Sequence, residues 1–201
     1  MCMRPQRRSS RLMGQGQSKR GYKKLEMATL GGGCFWCTEA VFSAMKGVIK
    51  VEPGYSGGRL PNPTYGQVST GTTGHTEVVQ ITFDPSVISF REILEVFFTM
   101  HDPTTLNRQG ADMGTQYRSV VFYHDKKQKA ATETLIAELN NVKTYDSPIV
   151  TQVEPFRAFY KAEAYHKNYF QRNPEQSYCR LVIAPKIAKL REHYQSKLRK
   201  M

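Results

Sequence analysis

Residues 27–46, MATLGGGCFWCTEAVFSAMK, change character twice within twenty positions. MATL suits a short strand, Gly31-Gly32-Gly33 turn the chain, and a helix is expected over about 34–46. A strand, a glycine turn and a helix in that order open an α/β unit. Outward from it, strands are expected at 48–55, at 77–83 (EVVQITF, cleanly alternating) and at 117–124. Ser89 and Glu92 form a capping box ahead of ILEVFF, and a further helix fits 125–142. The first six elements read β-α-β-β-α-β, which predicts an α+β fold: a two-layer α/β plait with a ferredoxin-like core. A strand near 148–153, a helix near 158–170 and a coil-rich C-terminal segment with a short basic helix are expected as appended elements. Two long loops, 56–76 and 101–116, exceed plain connectors, and loops of that length are usually functional or disordered.

The 201-residue chain suits one domain that buries a core without disulfide staples. No apolar run approaches a membrane span, so a soluble, cytoplasmic monomer is expected. Of the net charge of +12, eight units sit in residues 1–24 and six in residues 180–201, leaving −2 for the middle. Basicity confined to the ends argues against a specific nucleic-acid or membrane partner and for solvated tails. The N-terminus has no apolar h-region and is read as a disordered basic tail over 1–26; its composition also leaves a transit peptide open.

Cys34 falls where a helix begins, so free N–H groups and the dipole predict a depressed pKa and a thiolate near neutral pH. Cys37 lies one turn on, as in redox C-x-x-C pairs, yet it also heads an apolar stripe with Ala40, Val41, Ala44 and Met45. Both readings stand open. A single C-x-x-C with Phe and Trp inside is a poor zinc knuckle, and no metal or cofactor is expected. Phe35 and Trp36 are either core aromatics or a wall beside the thiol, suited to a thioether or S-methyl group. Glu77 shares strand parity with Val79, Ile81 and Phe83. A carboxyl on that apolar side has a raised pKa and serves as a general acid; past the sheet end it would sit in water.

The chain closely resembles the A-type peptide methionine sulfoxide reductases through GCFW (33–36), GYSGG (54–58), NPTY (62–65) and GHTEVV (74–79). FDPSVISF (83–90), HDPTT (101–105), GTQYRS (114–119), YHKNYF (165–170) and NPEQSYC (173–179) extend the likeness. The resemblance implies a catalytic domain over 27–180, with 181–201 a basic, partly helical extension. It implies thiol-dependent reduction of methionine-S-sulfoxide, free or in proteins, through a cysteine sulfenic acid and a disulfide recycled by thioredoxin or a similar dithiol. Cys34 is then the nucleophile and Glu77 the acid, with Tyr65 and Tyr117 as hydroxyl donors. Asp112 orients substrate, Phe35 and Trp36 form the S-methyl pocket, and His75 and His166 are structural or second in line. Cys179 matches the usual resolving position on a mobile tail. Cys37, where many members carry Gly, is the rival, and a relay through all three thiols is the third route. Ala111 and Met113 depart from the polar residues that often flank the Asp. A thioredoxin-like disulfide exchanger would need no acid at 77 and another topology, and a basic adaptor would act through the tails alone.

Overall fold

The computed structural model describes residues 24–199. Residues 1–23, which hold most of the expected tail and Cys2, lie outside the described residues. In chain order the elements are β1 (Glu26–Gly31), α1 (Phe35–Ser43), β2 (Val48–Ser56), α2 (Tyr65–Ser69), β3 (Thr76–Phe83), α3 (Phe90–Met100), β4 (Arg108–Gln109) and β5 (Asp112–Met113). They continue with β6 (Val120–Tyr123), α4 (Lys126–Asn141), β7 (Gln152–Pro155), β8 (Tyr160–Lys161), α5 (Tyr169–Arg172) and α6 (Ala184–Tyr194).

β1 is short because its C-terminal end is hemmed in on both sides. It pairs antiparallel with β3 (Leu30↔Val79) and with β6 (Leu30↔Val121), in a sheet ordered β7-β6-β1-β3-β2-β8. A Cβ on Gly31 would meet Thr76 Cγ2 at 2.7 Å, so the strand crosses this point only as glycine. Two residues on, Gly33 takes φ +84, a left-handed value that frees the chain to turn into α1. Along β3, Val79, Ile81 and Phe83 face one side and meet Ala28, Leu30, Phe35, Phe42, Leu94 and Phe97 in one core. Val78 faces the other way, joining Val120 and Phe122 under Phe156 and Phe159. Each large apolar side chain removed from water contributes about 1.5–3 kcal/mol, which fixes the register of β3 and hence where Glu77 comes to rest. Among the described residues no helix is long and apolar enough to cross a membrane.

Four sequence expectations are corrected. The helix expected near 158–170 is absent. Tyr160–Lys161 instead pair with the edge of β2, and the Ala162 N–H donates to Pro53 O, giving that edge partners it would lack. Asn168 at φ 52 then stops helix from propagating, and only the single turn of α5 follows. The strand expected near 148–153 lies at Gln152–Pro155, since the Ile149 and Val150 N–H groups are taken by Asn140 Oδ1 and Pro103 O. The expected strand at 117–124 shortens to Val120–Tyr123 because Thr115–Tyr117 coil into a 3₁₀ turn. Finally, the coil expected after Cys179 is a π-helical turn over Cys179–Ile183, which runs into the short basic helix that was expected, α6, with Ile183 and Leu190 fully buried.

The capping box at α3 forms as read: the Glu92 N–H donates to Ser89 Oγ at 3.2 Å and the Ser89 N–H to Glu92 Oε2 at 2.8 Å. Ser89→Ala is expected to cost ~1 kcal/mol in denaturant unfolding, with the slope of the transition unchanged. No loss would mean that α3 is fixed by its core contacts alone.

Candidate active site

The first turn of α1 leaves backbone N–H groups without helical acceptors. One of them reaches across the core: the Phe35 N–H donates to Glu77 Oε2 at 3.0 Å. Glu77 enters at the start of β3, paired with Tyr55, and is 2% exposed. Burial pushes its pKa up to about 8; the Phe35 N–H opposes this, and the nearby Asp112 and Cys37 add to it. Glu77 therefore holds a proton at neutral pH, as its place on the apolar side of the strand led us to expect.

Cys34 sits at the N-cap of α1 without capping through its side chain. Cys34, Cys37 and Cys179 are all free and buried, clustered with Ile183 beside Trp36, Tyr169, Phe170 and Tyr178. The expected low pKa of Cys34 is corrected. Burial raises it well above the ordinary thiol value, helped by its hydrogen bond with Cys37 and, once Glu77 ionises above about pH 8, by that carboxylate. Only the Trp36 backbone N–H pulls the other way, because the Phe35 N–H is already committed to Glu77. The lowered thiol is Cys37, through the Cys34 hydrogen bond and the Lys186 charge, against burial. A slot of only about 10 Å³ behind Cys37 is lined by Lys186, Gly32, Thr38 and His101 among others. Cys179 is likewise not on a loose tail: it is fully buried, and burial and the nearby Cys37 raise its pKa.

Aromatic rings surround the thiols. Phe35 is buried, with ring centroids 4.9 Å from His166 and 6.4 Å, stacked, from Tyr65. Trp36 stacks on Tyr169 at 3.7 Å, and its Nε1–H donates to His166 Nδ1 at 3.0 Å. Burial, joined by Glu77 once it ionises above about pH 8, lifts the Tyr65 hydroxyl to about 12 and raises that of Tyr117 as well. Both hydroxyls thus remain protonated at neutral pH, within electrostatic reach of Glu77 and Cys34. Asp112, on the β4–β5 hairpin, accepts the Tyr178 hydroxyl at 2.6 Å. Tyr178 also lies edge-on to Trp36 at 5.9 Å and 3.9 Å from Cys37 Sγ, so it occupies the space between the aromatic wall and the carboxylate. His75 stands apart, its ring held between the Gly58 N–H and Leu60 O, where it ties down the 57–75 loop.

All the residues read from the sequence as site candidates except His75 thus converge at one end of the sheet. Tyr178, Tyr169, Lys186, Tyr55 and Glu163 join them and were not singled out. Tyr178 and Tyr169 did stand inside quoted motifs, whereas Lys186 and Glu163, single charged residues outside every quoted motif, carried no local signal. Among the described residues no group of three or more His, Cys, Asp or Glu is placed to hold a metal ion.

Residues 26–198 match the family model described as peptide methionine sulfoxide reductase. The chain is 57% identical over 175 residues to the peptide methionine sulfoxide reductase MsrA of Saccharolobus solfataricus, covering 87% of this chain and 98% of that protein. It is similar to the crystal structure of reduced Mxr1 from Saccharomyces cerevisiae: TM-score 0.71, 35% identity, 78% of this chain and 90% of that one. It is also similar to Mxr1 solved in complex with Trx2, at TM-score 0.51 and 25% identity over 77% and 91% of the two chains.

Folded, Glu77 keeps its proton up to about pH 8; unfolded, it releases it near its ordinary value of 4.5. Between those limits the folded chain binds one proton more, so stability falls as pH rises. Relative to Glu77→Gln, the wild type is expected to lose stability through this window with a slope approaching ~1.4 kcal/mol per pH unit. Denaturant unfolding at a series of pH values reads the slope, and parallel curves would mean an ionised Glu77 in the folded state.

Proposed function

The chain belongs to the A-type peptide methionine sulfoxide reductases, and from that premise we propose that it reduces methionine-S-sulfoxide, free or in oxidised proteins, by a two-stage thiol reaction. The observation that carries this reading is the buried Glu77 carboxyl, hydrogen-bonded by the Phe35 N–H beside Cys34, where burial pushes its pKa up to about 8. A sulfoxide oxygen is a poor leaving group until it is protonated, and a carboxyl that keeps its proton to about pH 8 supplies that need.

In the first stage Cys34 attacks the sulfoxide sulfur while Glu77 protonates the oxygen, with the Tyr65 and Tyr117 hydroxyls donating to it. The Cys34 sulfur bonds to the substrate sulfur, and the thiol proton replaces the one that Glu77 has given up. The hydroxyl then moves to Cys34 as that S–S bond and the substrate S–O bond break, leaving a sulfenic acid and methionine, so the substrate sulfur gains the two electrons that Cys34 loses. The resting Cys34 is neutral, and the polarised sulfoxide resolves that difficulty. Its sulfur carries positive charge, which stabilises the thiolate only in the complex. Phe35 and Trp36 are the wall for the S-methyl group, and Asp112 orients the substrate once Tyr178 releases it.

In the second stage a neighbouring thiol attacks the sulfenic sulfur, forming a disulfide and releasing water. The hydrogen bond between Cys34 and Cys37, with the Lys186 charge at Cys37, favours Cys37 for this step. Cys179, in the same cluster, then takes over the disulfide and passes it outward. A relay therefore replaces direct resolution by Cys179. Thioredoxin or a similar dithiol restores the thiols, a reading supported by the solved complex of a relative with Trx2. Three free buried thiols suit a reducing compartment such as the cytoplasm, and one chain holds every group the reaction needs, so we take the monomer as the working unit. The antiparallel strand order β6-β1-β3-β2 supports reading the core, residues 27–180, as the two-layer plait.

Chiral methionine sulfoxide with dithiothreitol tests the reading. The S epimer alone is expected to turn over, Cys34→Ser to abolish turnover, and Glu77→Gln to slow the single-turnover rate about 10²–10⁴-fold. Turnover that survives Cys34→Ser contradicts the mechanism. With thioredoxin in place of dithiothreitol, Cys37→Ser and Cys179→Ser are both expected to fail if the relay is correct. Loss in only one of them names a direct resolver.

A further inference from the structure

No step above uses Glu163, yet its carboxylate meets three groups of the site. Oε1 accepts the Tyr65 backbone N–H at 2.8 Å, and Oε2 accepts the Tyr55 hydroxyl at 2.9 Å. The third group is His166, fully buried, with Nε2 lying 3.8 Å from Oε2 and without a hydrogen-bond partner. Because Trp36 Nε1–H donates to Nδ1, the lone pair of the ring is on Nδ1 and its proton on Nε2, the atom that lies 3.8 Å from the carboxylate. Burial keeps that ring neutral by lowering its pKa.

The rings show what this arrangement joins. His166 lies 4.5 Å from Tyr65, 4.9 Å from Phe35 and 5.7 Å from Trp36, wedged between the proposed hydroxyl donor and the aromatic wall. Tyr65 opens α2, a helix of only five residues whose one buried side chain is Val68. So short a helix has little core to fix it, and its first N–H is unpaired within the helix. The Glu163 bond to that N–H therefore bears directly on where the Tyr65 hydroxyl points.

We propose that Glu163 is a positioning residue, which fixes Tyr65 directly and Trp36 through the His166 ring, so that the oxygen-binding and methyl-binding sides of the site stay in one spatial relation. This rests on the functional reading above. Displacements of about 1 Å in such groups cost up to ~10²-fold in rate, so a single carboxylate serving both sides has a large effect on the reductive step and none on the later thiol exchange.

The test uses the full chain, free methionine-S-sulfoxide and the single tryptophan of the sequence, which makes fluorescence a report on Trp36 alone. Glu163→Gln keeps one oxygen acceptor but loses the other and the charge; it is expected to lower the single-turnover reduction rate about tenfold and to shift Trp36 emission. Glu163→Ala is expected to lose more, with the rate of disulfide formation after the sulfenic acid unchanged in both. In a cycle with Tyr65→Phe the effects are expected to be non-additive, because Glu163 acts through Tyr65. A Glu163→Gln rate within twofold of wild type with unchanged emission overturns the inference, as does full additivity. A wild type that does not turn over sulfoxide defeats the activity reading instead, and the emission shift then still decides whether Glu163 holds the wall.

Discussion

One hydrogen bond, from the Phe35 N–H to Glu77, joins the start of α1 to the start of β3, and the chemistry of the site follows from it. The bond satisfies an N–H that the helix cannot, and it holds the carboxyl at a depth where burial keeps it protonated. The same bond removes from Cys34 one of the donors that would have stabilised a thiolate. Burial then wins, and the thiol rests neutral. A helix start that sequence alone would assign to the cysteine is shared with an acid. This is the arrangement the proposed proton transfer to a substrate oxygen needs: a neutral acid beside a neutral thiol rather than a permanent anion.

The closed state of the site has a physical origin of its own. Tyr178 is held by Asp112 and edge-on to Trp36, while Tyr169 covers the indole face. Both tyrosines belong to the segment that carries Cys179, and Ile183 and Leu190 anchor that segment in the body of the protein. In the proposed mechanism a sulfoxide oriented by Asp112 takes the place of Tyr178, which would couple substrate binding to the position of the third thiol through one short stretch of chain.

Much of this was legible in the sequence, for reasons that name particular residues. The glycine run, the alternation of EVVQITF and the Ser89–Glu92 box each carry a local cause, and each appears as read in the sheet, in Glu77 and in α3. The segment 158–170, expected as a helix, is instead a short edge strand and isolated turns. What decides its conformation is a pairing with β2, more than a hundred residues earlier in the chain, and no local pattern reports it. The ionisation of Cys34 was misread for the same reason: its burial, Cys37 and Glu77 act together, and only the last two are visible as residues in the sequence. Glu163 and Lys186 were illegible, because a lone charged residue gives no sign of the side chain it faces.

The protonation of Glu77 is the claim on which this account rests, and difference infrared spectroscopy of the wild type against Glu77→Gln reads it directly. The account predicts the stretch of a protonated, apolar-buried carboxyl at neutral pH, lost with a midpoint near pH 8. A carboxylate signal already complete at about pH 6, with no protonated band, would contradict it.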